Sequence, residues 1–199
     1  MLKKTTFLDR DGVINHDSSE YIKNRSEFKF IPGSLEAISQ LTLNGFSVII
    51  ITNQSVINRK MVSPAGLDRI HNMLRDGVSA CGGKILDLFF CPHTETDMCL
   101  CRKPKPGLID MARQKYEIDM DFSVMVGDSA KDIECAKNAG CAKSILVKTG
   151  AGAKSEKILR AKNIFPDHVT TDLSEAASLI IRPDFFNGNV GAPSKGSKK

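Results

Sequence analysis

Residues 47–51 read Ser-Val-Ile-Ile-Ile. An unbroken apolar run of this length lacks the in–out alternation of a strand with one wet face. It fits a parallel strand covered on both sides. Working outward, Thr5–Leu8, Ile85–Phe90, Ser123–Val126, Ser144–Val147 and the weaker His168–Thr171 read as further short strands. Between them lie helical patterns. Pro32-Gly33-Ser34 opens one carrying Leu35, Ile38 and Leu41, closed near Asn44-Gly45. Ser63-Pro64 starts a second, with Pro in its first turn. Pro106-Gly107 precedes a third. Asp132–Ala139 is a fourth, ended by Gly140, and Lys154–Ala161 and Leu173–Ile181 follow. Strands alternating with helices predict an α/β fold: a Rossmann-like, doubly wound parallel sheet.

Length and composition agree. A chain of 199 residues suits one domain, expected over residues 1–187, with 188–199 as a disordered tail. Hydrophobic residues at 41% and charged residues at 26% exclude collagen-like and disordered classes. The formal charge is +5, but three lysines fall in the last ten residues, leaving a body near +2. That is too little to argue for nucleic acid. Aromatic content of 6% with no Trp also disfavours a base-stacking platform. No apolar run spans a membrane, and the N-terminus lacks the apolar core of a signal peptide. The expectation is a cytoplasmic protein with no membrane and no nucleic-acid partner, and with no coiled-coil heptads, a monomer.

In a sheet of this kind ligands bind beyond the carboxyl ends of the strands. Those ends are rich in chemistry here. The first runs into Asp9-Arg10-Asp11-Gly12, the second into Thr52-Asn53-Gln54, and the fourth into Gly127-Asp128-Ser129 with Asp132 shortly after. Lys103 lies in a Pro-rich connection. Converging carboxylates repel unless a cation sits among them, and hard oxygen ligands suit Mg²⁺. A carboxylate can also be a nucleophile, with a neighbouring acid to move protons and a hydroxyl and an ammonium to hold phosphoryl oxygens. Each residue alone is ordinary. Their order along the chain is not.

A second cluster lies between strand and lysine. Cys91, His93, Cys99 and Cys101 supply three thiols and an imidazole in a polar loop. Without an export signal a disulfide framework is not expected, and Cys₃His is a closed, structural zinc set. Cys101 precedes Arg102 and Lys103, so a zinc ion would fix where the lysine points. Cys81, Cys135 and Cys141 read as helix or core residues.

Phe7–Gly12, Ile51–Gln54, Lys103 and Gly127–Asp132 resemble, in order, the four motifs of the haloacid dehalogenase-like (HAD) superfamily. The resemblance implies Asp9 as nucleophile and Asp11 as general acid and base. It implies Thr52, Asn53 and Lys103 at the phosphate. Mg²⁺ would be held by Asp9, Asp128 and the main-chain carbonyl of Asp11, with Asp132 backing the metal site. An aspartate at position 11 points to phosphatases rather than dehalogenases. Asp9–Asn15, Thr52–Ser55, Cys91–His93 and Cys99–Gly107 narrow this to the zinc-loop phosphatases. They closely resemble the D-glycero-D-manno-heptose 1,7-bisphosphate 7-phosphatase family, with the histidinol-phosphate phosphatases nearest to it. The resemblance implies a phosphorylated sugar as substrate and a place in the synthesis of ADP-heptose for lipopolysaccharide. Ser55-Val56-Ile57-Asn58-Arg59-Lys60 departs from the family's usual Ser-Gly-Ile-Ala-Arg-Gly. Arg59 and Arg102 are candidates to clasp a second phosphate or sugar hydroxyls. The spacings leave no room for a separate cap domain, so substrate recognition is expected to fall to loops.

Overall fold

The computed structural model describes residues 3–187. The expected tail at 188–199 lies outside them. The strands are β1 (Lys3–Leu8), β2 (Ser47–Asn53), β3 (Ile85–Cys91), β4 (Ile118–Gly127), β5 (Lys143–Val147) and β6 (His168–Thr170). They form one sheet in the order β3-β2-β1-β4-β5-β6, with every pairing parallel. The helices are α1 (Ser34–Leu43), α2 (Pro64–Ala80), α3 (Gly107–Lys115), α4 (Ala130–Ala139), α5 (Gly152–Ala161) and α6 (Leu173–Ile180), with a short 3₁₀ turn at Glu95–Asp97.

The strand pleat explains the two layers. Leu8, Val48, Ile50, Val124 and Val126 point to one face, where α1, α2 and α6 cover them with Ile38, Leu41, Ile70, Leu74 and Ala176. Phe7, Ile49, Ile51 and Met125 point to the other, against Leu108, Ile109 and Ala112 of α3 and Cys135 and Ala136 of α4. α5 continues that second layer through Leu159 on Leu146 and Ile133. Both faces are therefore dry, which is why β2 reads as a continuous apolar run.

The helix starts follow local chemistry. At α2, Ser63 Oγ accepts the backbone N–H of Gly66 at 3.1 Å, and Pro64 occupies the first turn. At α4, Asp132 Oδ2 accepts from the backbone N–H of Ser129 at 2.9 Å and from its hydroxyl at 2.7 Å. This cap sets the start of α4 at Ala130, two residues before the predicted boundary. β4 begins five residues before the predicted Ser123, because Ile118 joins the ladder beside Lys3. Asp119 and Asp121 hide that extension from a hydropathy reading.

The chain winds from β1 outward to β3, then returns to β4 and winds the other way. The crevice at that reversal lies between the carboxyl ends of β1 and β4. Among the described residues no cap domain covers it. Residues 9–33, the turn at 54–62 and the loop at 91–106 wall it instead. No helix among the described residues is long and apolar enough to cross a membrane.

Candidate active site

Asp9 follows β1 and Asp128 follows β4, so the reversal of the sheet brings them together. Carboxylate oxygens of Asp9, Asp128 and Asp132 all lie within 4.8 Å of one another. Two glycine positions make this approach possible. A Cβ on Gly12 (φ 80°) would stand 2.1 Å from Asp128 Oδ2, and one on Gly127 would stand 2.2 Å from Asp132 Cβ. Asp128 Oδ2 also accepts from the Ala151 backbone N–H at 2.7 Å, while Thr149 Oγ1 donates to the Gly12 carbonyl at 2.6 Å. The β5–α5 loop thus buttresses the acids, a role the sequence did not signal.

Lys103 reaches into this cluster and is 2% exposed. Its ammonium meets Asp132 Oδ1 at 2.7 Å, Asp9 Oδ1 at 2.9 Å and the Ile51 carbonyl at 2.8 Å. Three acceptors match its three N–H bonds. Burial would lower its pKa, but Asp132 and Asp9 together raise it, so it stays charged. One lysine does not balance the acids. Burial, against Lys103, lifts Asp9 to about 7, and burial with Asp132 and Asp9 lifts Asp128 to about 8. A divalent cation is the natural counter-charge for oxygen ligands in this state, and Mg²⁺ fits them.

Asp9 Oδ1 is also taken by the Arg10 backbone N–H at 2.7 Å. Both contacts, from Arg10 and from Lys103, fall on Oδ1, and Asp9 lines the cleft. The Asp11 carboxylate stands apart from the metal cluster. Arg10 grips it with Nε on Oδ1 at 3.2 Å and Nη2 on both oxygens at 2.9 Å. Asn15 Nδ2 donates to Oδ1 and Gln54 Nε2 to Oδ2, each at 2.8 Å. Burial raises the Asp11 pKa, yet the Arg10 charge and these hydrogen bonds outweigh it and hold the group below the usual carboxylate range. Any contact of Asp11 with the metal therefore falls to its main chain, not to this carboxylate.

Thr52, at the end of β2, is 1% exposed, and its Oγ1 accepts from Gln54 Nε2 at 3.0 Å. Asn53 lines the cleft beside Thr52, and its side chain also reaches the Lys103 main chain. Its Oδ1 accepts the Lys103 backbone N–H at 3.1 Å, and its Nδ2 donates to the Lys103 carbonyl at 3.2 Å. The side-chain amide is engaged in seating Lys103, because β2 ends directly beside the lysine's main chain.

The Cys91, His93, Cys99 and Cys101 donors converge as expected. Sulfur–sulfur distances are 3.2–3.6 Å, and His93 Nδ1 lies 3.6 Å from Cys91 and 3.4 Å from Cys101. A tetrahedron built on Zn–S bonds of about 2.3 Å has edges of about 3.8 Å, so the donor set fits one zinc ion. Nδ1 is the His93 nitrogen turned toward the sulfurs and would be the one to ligate. Lys105 ties the loop by donating to the Met98 carbonyl at 3.2 Å and the Cys99 carbonyl at 2.7 Å.

A cleft of about 710 Å³ opens above these groups. Arg59 and Arg102 both line it. Arg59 lies over the Tyr21 ring at 5.6 Å, and Arg102 Nη1 donates to the His93 carbonyl at 3.1 Å. Glu95 faces Arg102 at 3.8 Å and also pairs with Lys131. Where the family pattern has glycines, Val56 is buried against Val62 and Leu67, and Lys60 takes φ 56°. Sequence reasoning gave no role to Arg10, Asn15 or Gln54, although all three sit inside the quoted motifs.

Acids at the ends of β1 and β4 around a buried lysine, on this strand order, define a HAD-like hydrolase. A HAD-hydrolase-like family model matches residues 100–176. Curated relatives give the narrower assignment: the chain belongs to the D-glycero-D-manno-heptose-1,7-bisphosphate 7-phosphatase family. It is 41% identical over 152 residues to the β-anomer-named enzyme of Bordetella bronchiseptica, covering 76% of this chain and 84% of that protein. It is 36% identical over 171 residues to the α-anomer-named enzyme of Photorhabdus laumondii, covering 81% and 93%. The crystal structure of the B. bronchiseptica D,D-heptose 1,7-bisphosphate phosphatase, complexed with magnesium and phosphate, superposes with a TM-score of 0.83. It shares 37% identity and covers 89% of this chain and 98% of that one.

Proposed function

We propose that this protein hydrolyses the C7 phosphate of D-glycero-D-manno-heptose 1,7-bisphosphate through a phosphoaspartate on Asp9. The observation that carries the chemistry is the Asp9 carboxylate gathered with Asp128 and Lys103 at the reversal of the sheet, lining the cleft with its Oδ1 held by Arg10 and Lys103. Asp9, Asp128 and the main-chain carbonyl of Asp11 would hold Mg²⁺, with Asp132 behind them. Bound there, the ion would neutralise the acids and draw charge from the phosphoryl oxygens.

The steps follow from the residues. Asp9 Oδ2 attacks phosphorus in line, and the bond from phosphorus to the C7 oxygen breaks. Asp11, kept ionised by Arg10 in the resting site, takes up a proton as the dianionic phosphate enters and gives it to the departing alkoxide. As a carboxylate it then takes a proton from water, which attacks phosphorus and breaks the bond to Asp9. Inorganic phosphate leaves and Asp9 is restored. Thr52 holds a phosphoryl oxygen, and the Lys103 ammonium, its N–H bonds taken by Asp9, Asp132 and the Ile51 carbonyl, offsets the growing charge by its own. The depressed pKa of Asp11 favours the second, base-catalysed step. Arg59 and Arg102, at the rim of an open cleft, are placed for the remote end of a bisphosphate.

The names of the relatives and the open, cation-rimmed cleft support the heptose substrate. A place in ADP-heptose synthesis, and action in the cytoplasm as a single chain, belong to the same proposal. The test is kcat/KM on the α- and β-anomers of the heptose bisphosphate against histidinol phosphate, with Mg²⁺. Preference for either heptose anomer is expected. Preference for histidinol phosphate would refute the substrate.

A further inference from the structure

Arg10 lies between Asp9 and Asp11 in the chain and is only 1% exposed. A buried guanidinium is tolerated where its charge and its donors are matched. One edge grips both oxygens of Asp11, and its plane lies over the Phe28 ring at 5.6 Å. The remaining nitrogen, Nη1, lies 3.3 Å from Nε2 of His71. His71 belongs to α2, is 2% exposed, and packs against the Phe90 ring at 5.6 Å. It does not line the cleft.

Arginine has donors only, so the contact is favourable in one form alone. His71 Nε2 must carry the lone pair and Nδ1 the proton. Burial first, then the charges of Arg10 and Arg75, depress the His71 pKa to about 3, so the acceptor persists at neutral pH. The distinction from the other holders of Asp11 is geometric. Asn15 and Gln54 each donate to one oxygen, while the planar fork of Arg10 meets both and sets the carboxylate plane.

We propose that His71 is a positioning residue of the active site: by accepting from Arg10 Nη1 it fixes the guanidinium, and the guanidinium aims the Asp11 carboxylate at the oxygen that is protonated. This rests on the reading of Asp11 as proton donor and acceptor. An acid that swings away from the leaving oxygen slows the chemical step without weakening substrate binding. His71→Leu removes the acceptor. His71→Gln keeps one, because its Oε1 can stand near the position of Nε2.

The experiment compares wild type, His71→Leu and His71→Gln in steady-state turnover of the heptose bisphosphate with Mg²⁺, alongside their thermal midpoints. Nitrogen-15 NMR of the wild-type imidazole at pH 7 reads the tautomer independently of activity. In His71→Leu, kcat is expected to fall about tenfold with KM within about twofold, and His71→Gln is expected to recover most of the loss. The ring proton is expected on Nδ1. Two turnover results would overturn the proposal: a folded His71→Leu with wild-type kcat, or a folded His71→Gln as slow as His71→Leu. A proton on Nε2 overturns it even where a variant fails to fold. A wild type inactive on the heptose bisphosphate would count against the proposed substrate, while the tautomer would still decide the His71–Arg10 contact.

Discussion

At the scale of single residues, Asp9 and His71 carry the sharpest expectations. Asp9→Asn keeps the shape but loses the nucleophile, so kcat should fall by at least about a thousandfold while the thermal midpoint holds or rises. A rise follows from charge, since Asp9 is one of three crowded acids. Turnover assays with calorimetry check both halves. His71 makes folding pH-dependent. Its folded pKa lies near 3 against 6.5 for a free imidazole, with Arg10, Arg75 and Asp11 the charges that face it. Between those values the unfolded chain binds more protons. Stability from this residue is therefore complete above about pH 6.5 and is lost as the pH falls toward 3. At pH 5 the loss is at most about 2 kcal/mol, from 1.36 kcal/mol per pKa unit. Urea midpoints of wild type and His71→Gln at pH 7 and pH 5 isolate it, and equal pH shifts in the two proteins would contradict it. Asp9, Asp11, Thr52, Lys103 and Asp128 were legible because each stands just past a strand or in a motif. Arg10 was not. An arginine in a strand-end sequence carries no mark of burial, and its partner His71 lies 61 residues away on a helix face.

At the scale of elements, the zinc loop and the 54–62 turn set the rim of the cleft. Asn53 of β2 holds the main chain of Lys103 where the loop passes it, and within the loop Arg102 donates to the His93 carbonyl. About one zinc per chain is expected from protein purified without chelators, read by elemental analysis. Cys101→Ser should lower zinc content and cut kcat about tenfold or more, because the lysine loses its anchor while its charge remains. Folded protein with no zinc and full activity would contradict that account. Lys60 offers a separate test. It holds φ 56°, in the region that favours glycine. Lys60→Gly should raise stability by up to about 1 kcal/mol, seen as a higher urea midpoint. The cluster Cys91, His93, Cys99 and Cys101 could be read directly, since few other arrangements use three thiols and an imidazole in a polar loop. The ligating nitrogen of His93 could not, because ring orientation depends on the folded loop. β4 was read short because Asp119 and Asp121 interrupt its apolar run, and pairing with β1 overrides that local signal.

At the scale of the whole molecule, six strands alternating with six helices made the doubly wound sheet visible in hydropathy alone, down to the two-sided burial of β2. The strand order is a different matter. Nothing in periodicity states that β1 lies between β2 and β4, yet that order creates the crevice where Asp9 meets Asp128. The folded chain supplied it. The same architecture leaves the cleft open, with Arg59 and Arg102 at its rim and Lys103 buried at its floor, which suits an extended anionic sugar whose reacting phosphate enters first. Phosphorus-31 NMR of heptose 1,7-bisphosphate incubated with the protein and Mg²⁺ tests that claim most directly. Loss of the C7 resonance, with heptose 1-phosphate and inorganic phosphate appearing in equal amounts, is the predicted result. Loss of the C1 phosphate, or an unchanged spectrum under conditions where histidinol phosphate is hydrolysed, would contradict it.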